Sequence, residues 1–554
     1  MKDAAEMISS NLKRRKVDLD FYLHRVFRKK SFRPLQREVV TAAVEGHDVF
    51  LQASTSFGKS LCFQLPAVIS HGVTVVVSPL LALMTDQVNA LQALGVTVAT
   101  INSTTSLSER REIMQDLLSG HPRTRLLYVT PELCQTETFR RNLQTIHSQG
   151  ELSRIAIDEA HCISEWGHDF RPAYKELSWF KRALNNPPVP ISALTATATP
   201  RVRKDIIDLL GLDPGQLRIF NTPSARPNIH YEIRYLQGFV EDHGDSEMLQ
   251  VVDFVSWLKS IQGRRAARLT SNDIDLPPIS GIVYVSLRSL SERLASILST
   301  SWSSKIRAVA YHAGLSSQDR TQIQSQWTSP QSTSAPDGQT PAFSIIVATN
   351  AFGMGIDNPH VRFVVHWNPP RSFEGFVQES GRAGRDGRAA ASVVYYNIQE
   401  RDRILDRLRR DIENAYNRAN NKPTNDAPKT GPKNDPESNL QNQYARLRSF
   451  QKVARYCEST SRCRHEMIKD FFGDLELERM GSQAPSSEIN PTKGSSASPC
   501  DFACDFCKEG PRSLALRKAK MASMEGLGGC VGCIESDFMS IMEATYPDAF
   551  AGPD

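Results

Sequence analysis

The sequence predicts two consecutive doubly wound α/β domains followed by a small helical module rich in cysteine. Three observations carry that expectation. Short β-branched runs alternate with helix-like stretches in two successive sets, the pattern of parallel strands joined by crossover helices. Cysteine usage then changes: Cys62, Cys134 and Cys162 stand alone, whereas seven of the ten cysteines lie at or beyond Cys457. The chain is also long, 554 residues, where a single domain holds about 100–200.

Composition narrows the function classes. Apolar residues make up 40% and charged residues 23%, enough for packed cores. The balance of 66 basic against 61 acidic side chains, +5, excludes a histone-like polycation and leaves room for a basic groove. No apolar run approaches the ~18 residues that span a bilayer, and the first 30 residues show no signal-peptide core. Ten cysteines in so long a chain do not make a secreted disulfide scaffold, so a reduced, intracellular, non-membrane protein is expected.

The elements follow in order. VTVVVSP (73–79), RLLYVTP (125–131), RIAIDEAH (154–161) and PISALTATATP (190–200) form the first strand set. GIVYVS (281–286), RAVAYHAG (307–314), SIIVATN (344–350) and RFVVHWN (362–368) form the second. Their lack of polar alternation predicts strands buried on both faces. LLALMTDQVNALQALG (80–95) has helical spacing and ends in Gly. Polar stretches at 328–341, 421–439 and 481–499 read as a loop, a disordered linker and an insertion. The expected organisation is a basic N-terminal extension (1–25), a first lobe (26–220), a second lobe (221–410), a linker (411–440), a helical cysteine module (441–510) and a tail (511–554).

Chemistry begins at ASTSFGKS (53–60), after the apolar strand DVFLQ and before LCFQLPAV. Strand, tight loop and helix is the context of a phosphate-binding loop. The backbone N–H groups of Ala53, Ser54, Thr55, Ser56, Phe57 and Gly58 would cradle phosphates, Lys59 would reach the outer oxygens, and the Ser60 hydroxyl would hold Mg²⁺. A bare GKS is common by chance, but Asp158-Glu159-Ala160-His161 ends a strand about 100 residues on. Asp158 can hold Mg²⁺ and Glu159 can deprotonate water. QESGRAGRDG (378–387) offers Arg382 and Arg385 for transition-state charge, although an Arg/Gly stretch alone is more often a solvated loop.

Together with SFRPLQ (31–36), KSLCFQLPA (59–67), VSPLLALMTDQV (77–88), YVTPE (128–132), SALTATAT (192–199) and ATNAFGMGID (348–357), these motifs resemble the RecQ family of superfamily 2 DNA helicases, over roughly residues 20–475 and more patchily to 507. The resemblance implies two tandem RecA-like lobes and a helical zinc-binding subdomain. It implies ATP and Mg²⁺ as cofactors, adenine recognition by Arg33 and Gln36, and a catalytic set of Lys59, Asp158, Glu159, Gln378, Arg382 and Arg385. Ser56-Phe57 replaces the family's small residues, which implies altered affinity. CISEWGHDFRP (162–172) resembles the family's aromatic-rich loop; Trp166 and Phe170 would stack on unpaired bases and Arg171 would hold phosphate. The alternative is that Trp166 and Phe170 are core aromatics.

Cys463 opens CRHEMIKDFFG, similar to the family's Cys-Arg-Arg helix, and Cys500, Cys504 and Cys507 follow spaced C-x₃-C-x₂-C. Four thiolates are the ligand set of a closed structural zinc site. Cys457, just ahead of the Cys-Arg position, is a weaker candidate, and Cys530 and Cys533 form a separate C-x₂-C with no evident partner pair. The residues after Cys507 are too few for the family's winged helix, so a short form is expected. The resemblance thus implies a 3′→5′ ATP-dependent DNA helicase acting on single-stranded and forked DNA in repair or recombination. The alternatives are a DNA-stimulated ATPase that does not separate strands, a degenerate DNA-binding remnant and, less favoured, an RNA helicase. Lys13-Arg14-Arg15-Lys16 fits a nuclear import patch, and the nucleus is the expected location. With the motor folding on its own core, basal ATP hydrolysis is expected to survive loss of the zinc.

Overall fold

A computed structural model describes residues 17–54, 57–165, 170–235, 243–267, 278–302, 305–328, 341–350, 352, 358–420, 436–474, 476 and 504–522. The first lobe is a seven-stranded sheet: β1 (Val49–Gln52), β2 (Val73–Val77), β3 (Val98–Ile101), β4 (Leu126–Val129), β5 (Leu152–Ile157), β6 (Ile191–Thr195) and β7 (Arg218–Asn221). Their order is β3-β4-β2-β5-β6-β1-β7, with every pairing parallel. β1, β2, β4 and β6 are buried along their whole length, as apolar runs without alternation require.

The second lobe is a six-stranded sheet of β8 (Ile229–Tyr235), β9 (Ile279–Tyr284), β10 (Ile306–Tyr311), β11 (Phe343–Ala348), β12 (Val361–His366) and β13 (Ala390–Tyr396). The order is β10-β11-β9-β12-β13-β8, again parallel throughout. Both lobes therefore have the doubly wound architecture the sequence predicts, and all eight quoted runs are strands. β8 and β13 were not among those runs. β8 alternates buried and half-buried positions, as an edge strand does, and its Glu232 and Arg234 break the apolar signal.

Glycine matters at one point in the second sheet. A Cβ on Gly281 of β9 would lie 2.0 Å from the Phe363 ring of β12. The ring occupies the space that the missing side chain leaves.

Three expected boundaries need correction. Helix Leu19–Arg25 lies in the stretch assigned to the extension, yet it buries Leu19 and Leu23 in the first lobe's core. Helices Ile398–Asn420 and Pro436–Glu458 run into both ends of the expected linker and pack on each other. Leu405, Leu408, Ile412 and Ala415 line their buried face at helical spacing. Helix Asp505–Ala522 crosses from the cysteine module into the expected tail, bending at Gly510 ahead of Pro511. The insertion 481–499, Thr55, Ser56, Trp166, Cys500, Cys530 and Cys533 lie outside the described residues.

The cysteine module is not a detached unit. Cys457, Cys463 and Cys504 belong to the same apolar cluster as Tyr231 of β8, Tyr284 of β9 and Phe376. The second lobe and the module share one core.

Candidate active site between the lobes

β5, β6 and β1 are neighbours, so the residues that follow them emerge side by side. This register brings Asp158, the segment after Thr195 and the loop after Gln52 to one edge of the first lobe. The loop closes on itself. Lys59, almost fully buried, donates from Nζ to Ala53 O at 3.0 Å, and Gly58 adopts φ +83°. Ser60 precedes helix Leu61–Ile69 without making a side-chain capping bond.

Gln36 and Arg33 sit against this loop. The Gln36 amide donates to Phe57 O at 2.8 Å and to Gly58 O at 3.3 Å, while its oxygen accepts from Arg33 N at 2.9 Å. A Cβ on Gly58 would lie 2.9 Å from the Gln36 amide nitrogen and 3.7 Å from Arg33 Nη1. Phe57, the bulky departure in the loop, is buried in the first lobe's core.

The acids lie opposite. Burial lowers the Lys59 ammonium pKa, against the pull of Glu159 and Asp158. Burial and the neighbouring Glu159 raise that of Asp158, while Lys59 opposes the rise. Glu159 is a non-glycine residue at φ +50°, a conformation that costs about 1–3 kcal/mol and clusters at functional sites. It approaches His161 at 3.3 Å, and His161 Nδ1 contacts Thr195 Oγ1 at 3.0 Å. Thr195 Oγ1 in turn accepts from Thr197 N at 3.2 Å. His161, to which sequence reasoning assigned no role, thereby joins the acid motif to the segment 192–199.

From the second lobe, Arg385 acts on Lys59 with its charge. Burial lowers the Arg226 pKa, and the positive charges of Arg385 and Arg33 lower it further, which suits an anionic occupant. Arg382 is buried beside Tyr284. Gln378 and Arg382 both line a cavity of about 260 Å³ between the second lobe and the helix Pro436–Glu458, with Tyr284, His366 and Ser449. Both arginines act on Tyr284 with their charge, Arg382 also by a hydrogen bond, and Arg385 is the one whose charge reaches Lys59.

Of the loop 162–172, Phe170 is half-buried under the Lys175 ammonium, 5.5 Å from the ring centroid. Arg171 donates to Pro79 O at 2.9 Å, and Tyr174 donates to Asp158 O at 3.0 Å. The loop is thus tied to the segment 77–88, and the short helix Pro172–Lys175 that follows it to the acid motif.

Cys463, Cys504 and Cys507 place their sulfurs within 4.8 Å of one another. Zn–S bonds of ~2.3 Å in a tetrahedron hold sulfurs about 3.8 Å apart, and Cys463 and Cys504 stand at 3.8 Å. Arg464 N donates to Cys504 Sγ at 3.5 Å, a supporting contact of the kind metal thiolates receive. The donor set fits zinc. Cys457 is not part of this group.

Comparison with known proteins agrees with this layout. Residues 33–206 match the DEAD/DEAH box helicase family, 277–387 the helicase conserved C-terminal domain, and 409–508 the RecQ zinc-binding family. The ATP-dependent DNA helicase Q5 of Mus musculus is 39% identical over 488 residues, covering 88% of this chain and 42% of that protein. The ATP-dependent helicase SGS1 of Saccharomyces cerevisiae is 34% identical, covering 82% of this chain and 27% of that protein. The ATP-dependent DNA helicase Q1 of Rattus norvegicus, also 34% identical, is covered to 62% of its length. The chain thus spans less than half of the first two relatives. Among solved structures, the DUF1998 helicase MrfA bound to DNA has a TM-score of 0.52 at 16% identity, covering 69% of this chain and 51% of that one. The DEAD-box helicase Mss116 bound to ssRNA and UDP-BeF has a TM-score of 0.51 at 15% identity, covering 85% and 96%. At these identities the two structures share the fold alone.

Proposed function

With two helicase domains and a RecQ zinc-binding domain in one chain, this protein belongs to the RecQ helicases, and from that premise we propose that it is an ATP-dependent DNA helicase translocating 3′→5′ on single-stranded DNA. The observation that carries the proposal is the adjacency of β5, β6 and β1, which brings the Lys59 loop and the Asp158-Glu159 pair to one edge of the first lobe, where Lys59 also feels the charge of Arg385.

Arg33 and Gln36 hold the adenine side of the nucleotide, and the main chain of 53–58 with Lys59 holds its phosphates. Ser60 and Asp158 are the residues that would hold Mg²⁺, which when bound offsets phosphate charge. Glu159 takes the proton of the attacking water. Arg385 meets developing phosphate charge from across the cleft and Arg382 joins it on lobe closure, with Gln378 on the helix Phe373–Ser380 just ahead of them.

Trp166, Phe170 and Arg171 grip the strand, and the Arg171–Pro79 and Tyr174–Asp158 bonds carry its occupancy to the acid motif. Zinc, held by Cys463, Cys500, Cys504 and Cys507, is structural, because four protein thiolates leave no open position for water. Repair or recombination of nuclear DNA, on forked as well as single-stranded substrates, is the setting this reading implies.

Strand displacement on 3′-tailed and 5′-tailed duplexes tests the proposal. ATP-dependent opening of the 3′-tailed duplex is expected, and preference for the 5′ tail would reject the polarity. Stimulation of ATPase by RNA above that by single-stranded DNA would reject the substrate.

A further inference from the structure

The segment between β7 and β8 reaches into the arginine loop. Arg226, about nine-tenths buried, donates from Nη1 to Gly381 O at 3.1 Å and from Nη2 to Gly384 O at 2.6 Å. Asn228 donates from Nδ2 to Gly384 O and to Arg388 O, each at 2.9 Å. Gly384 itself lies at φ +59°, and a Cβ there would sit 2.5 Å from Asn228 Nδ2. Three carbonyls of the stretch that carries Arg382 and Arg385 are therefore held by two side chains from outside it. A buried guanidinium is usually matched to a carboxylate, and fixing backbone carbonyls with it suggests that their placement matters.

The same segment is held from its other side. Arg226 O accepts from His465 Nε2 at 3.1 Å, and His465 is buried on the helix Arg464–Phe472, whose N-cap is Cys463. At the far end of that helix Phe472 O accepts from Arg203 Nη2 of the first lobe at 3.0 Å. Beyond it, the Asp474 carboxylate accepts from Ser224 N and Ser224 Oγ, both at 2.8 Å. A continuous run of contacts leads from the cysteine centre through residues 224–228 to the arginine loop.

We propose that Arg226 and Asn228 are positioning residues that set the placement of the arginine loop, and that the cysteine module governs this placement through His465. The inference rests on the reading of Arg382 and Arg385 given above. It also changes the expectation drawn from sequence, because loss of the module would then depress basal hydrolysis as well as DNA binding.

The test uses the full zinc-loaded chain with ATP, a non-hydrolysable ATP analogue and a single-stranded oligonucleotide. Arg226→Gln and the isosteric Asn228→Asp should each lower kcat roughly tenfold or more while KM and analogue affinity stay within about threefold. Adding Arg226→Gln to Arg385→Ala should cost less than about threefold further, because both act through one group. Because His465 also bonds Cys504, zinc content is measured alongside: His465→Leu should lower kcat in the fraction that retains zinc, and His465→Gln, which keeps an N–H donor, should restore it. Wild-type kcat in folded Arg226→Gln and Asn228→Asp, or a fully additive double variant, would overturn the proposal. Should Arg226→Gln not fold, Asn228→Asp decides the matter by the same criterion. Wild-type turnover in both Arg382→Ala and Arg385→Ala would instead overturn the underlying reading, and the proposal with it.

Discussion

Glu159 shows how a single residue can be legible in type but not in geometry. Its place after a buried strand marks it as an acid of the site, while its left-handed backbone and its contact with His161 required coordinates. We expect Lys59→Ala to remove nearly all ATP turnover. Glu159→Gln should keep analogue binding and lower hydrolysis by about 10²-fold or more, measured by steady-state ATPase and equilibrium binding. Gly281 offers a check independent of catalysis. A methyl group there meets the Phe363 ring at 2.0 Å, so Gly281→Ala should destabilise by ~1–3 kcal/mol in urea denaturation, and Phe363→Leu should recover part of that loss. Arg226 and Asn228 were not readable at all. Their partners lie more than 150 residues away, and side chains bonding to carbonyls leave no pattern in the sequence that accepts them.

At the scale of elements, most apolar runs announced their strands, and β8, with charged residues between its apolar ones, did not. β8 carries His230, Glu232 and Arg234 between its apolar positions, and it is helix Asp505–Ala522 that makes this tolerable. Asp505, fully buried, pairs with Arg464 at 2.8 Å and accepts from Ile233 N at 3.0 Å. Asp505→Ala strands the Arg464 charge and should cost ~3–5 kcal/mol, read as a fall in the denaturation midpoint. The linker was overextended for a different reason: the charged outer face of Ile398–Asn420 masks the apolar positions at 405, 408, 412 and 415. Glu232 gives a pH test. Burial alone would raise its pKa, but the hydrogen bond with His230 and the charge of Arg234 bring it to about 2 from 4.5. A depressed carboxylate stabilises the fold above its unfolded value and ceases to do so as pH falls through the folded one. Stability should therefore drop between about pH 4.5 and 2, by at most ~3 kcal/mol from this group, and Glu232→Gln should flatten that part of the pH–stability curve.

For the molecule as a whole, the cysteine centre is where sequence and structure part furthest. Three of the four expected thiols do gather, yet the module that holds them shares the second lobe's core and is bonded to Arg203 of the first lobe and to Ser224 of the segment between the lobes. Elemental analysis should find one zinc per chain, and its removal by a chelator should reduce ATP turnover even without DNA; unchanged turnover in metal-free protein would contradict this. The placement of β8 also bears on the order in which the chain is made. All seven strands of the first sheet lie before residue 222, so that sheet can close while the remainder is still being synthesised. The second cannot. Its earliest strand is its outermost, pairing only with its latest, and the helix that packs on it ends at residue 522. For most of translation β8 is an unprotected edge, open to pairing with another nascent chain. A chain stopped shortly before residue 505 would hold every strand of both sheets and both helicase domains, and we would expect to find it in inclusion bodies.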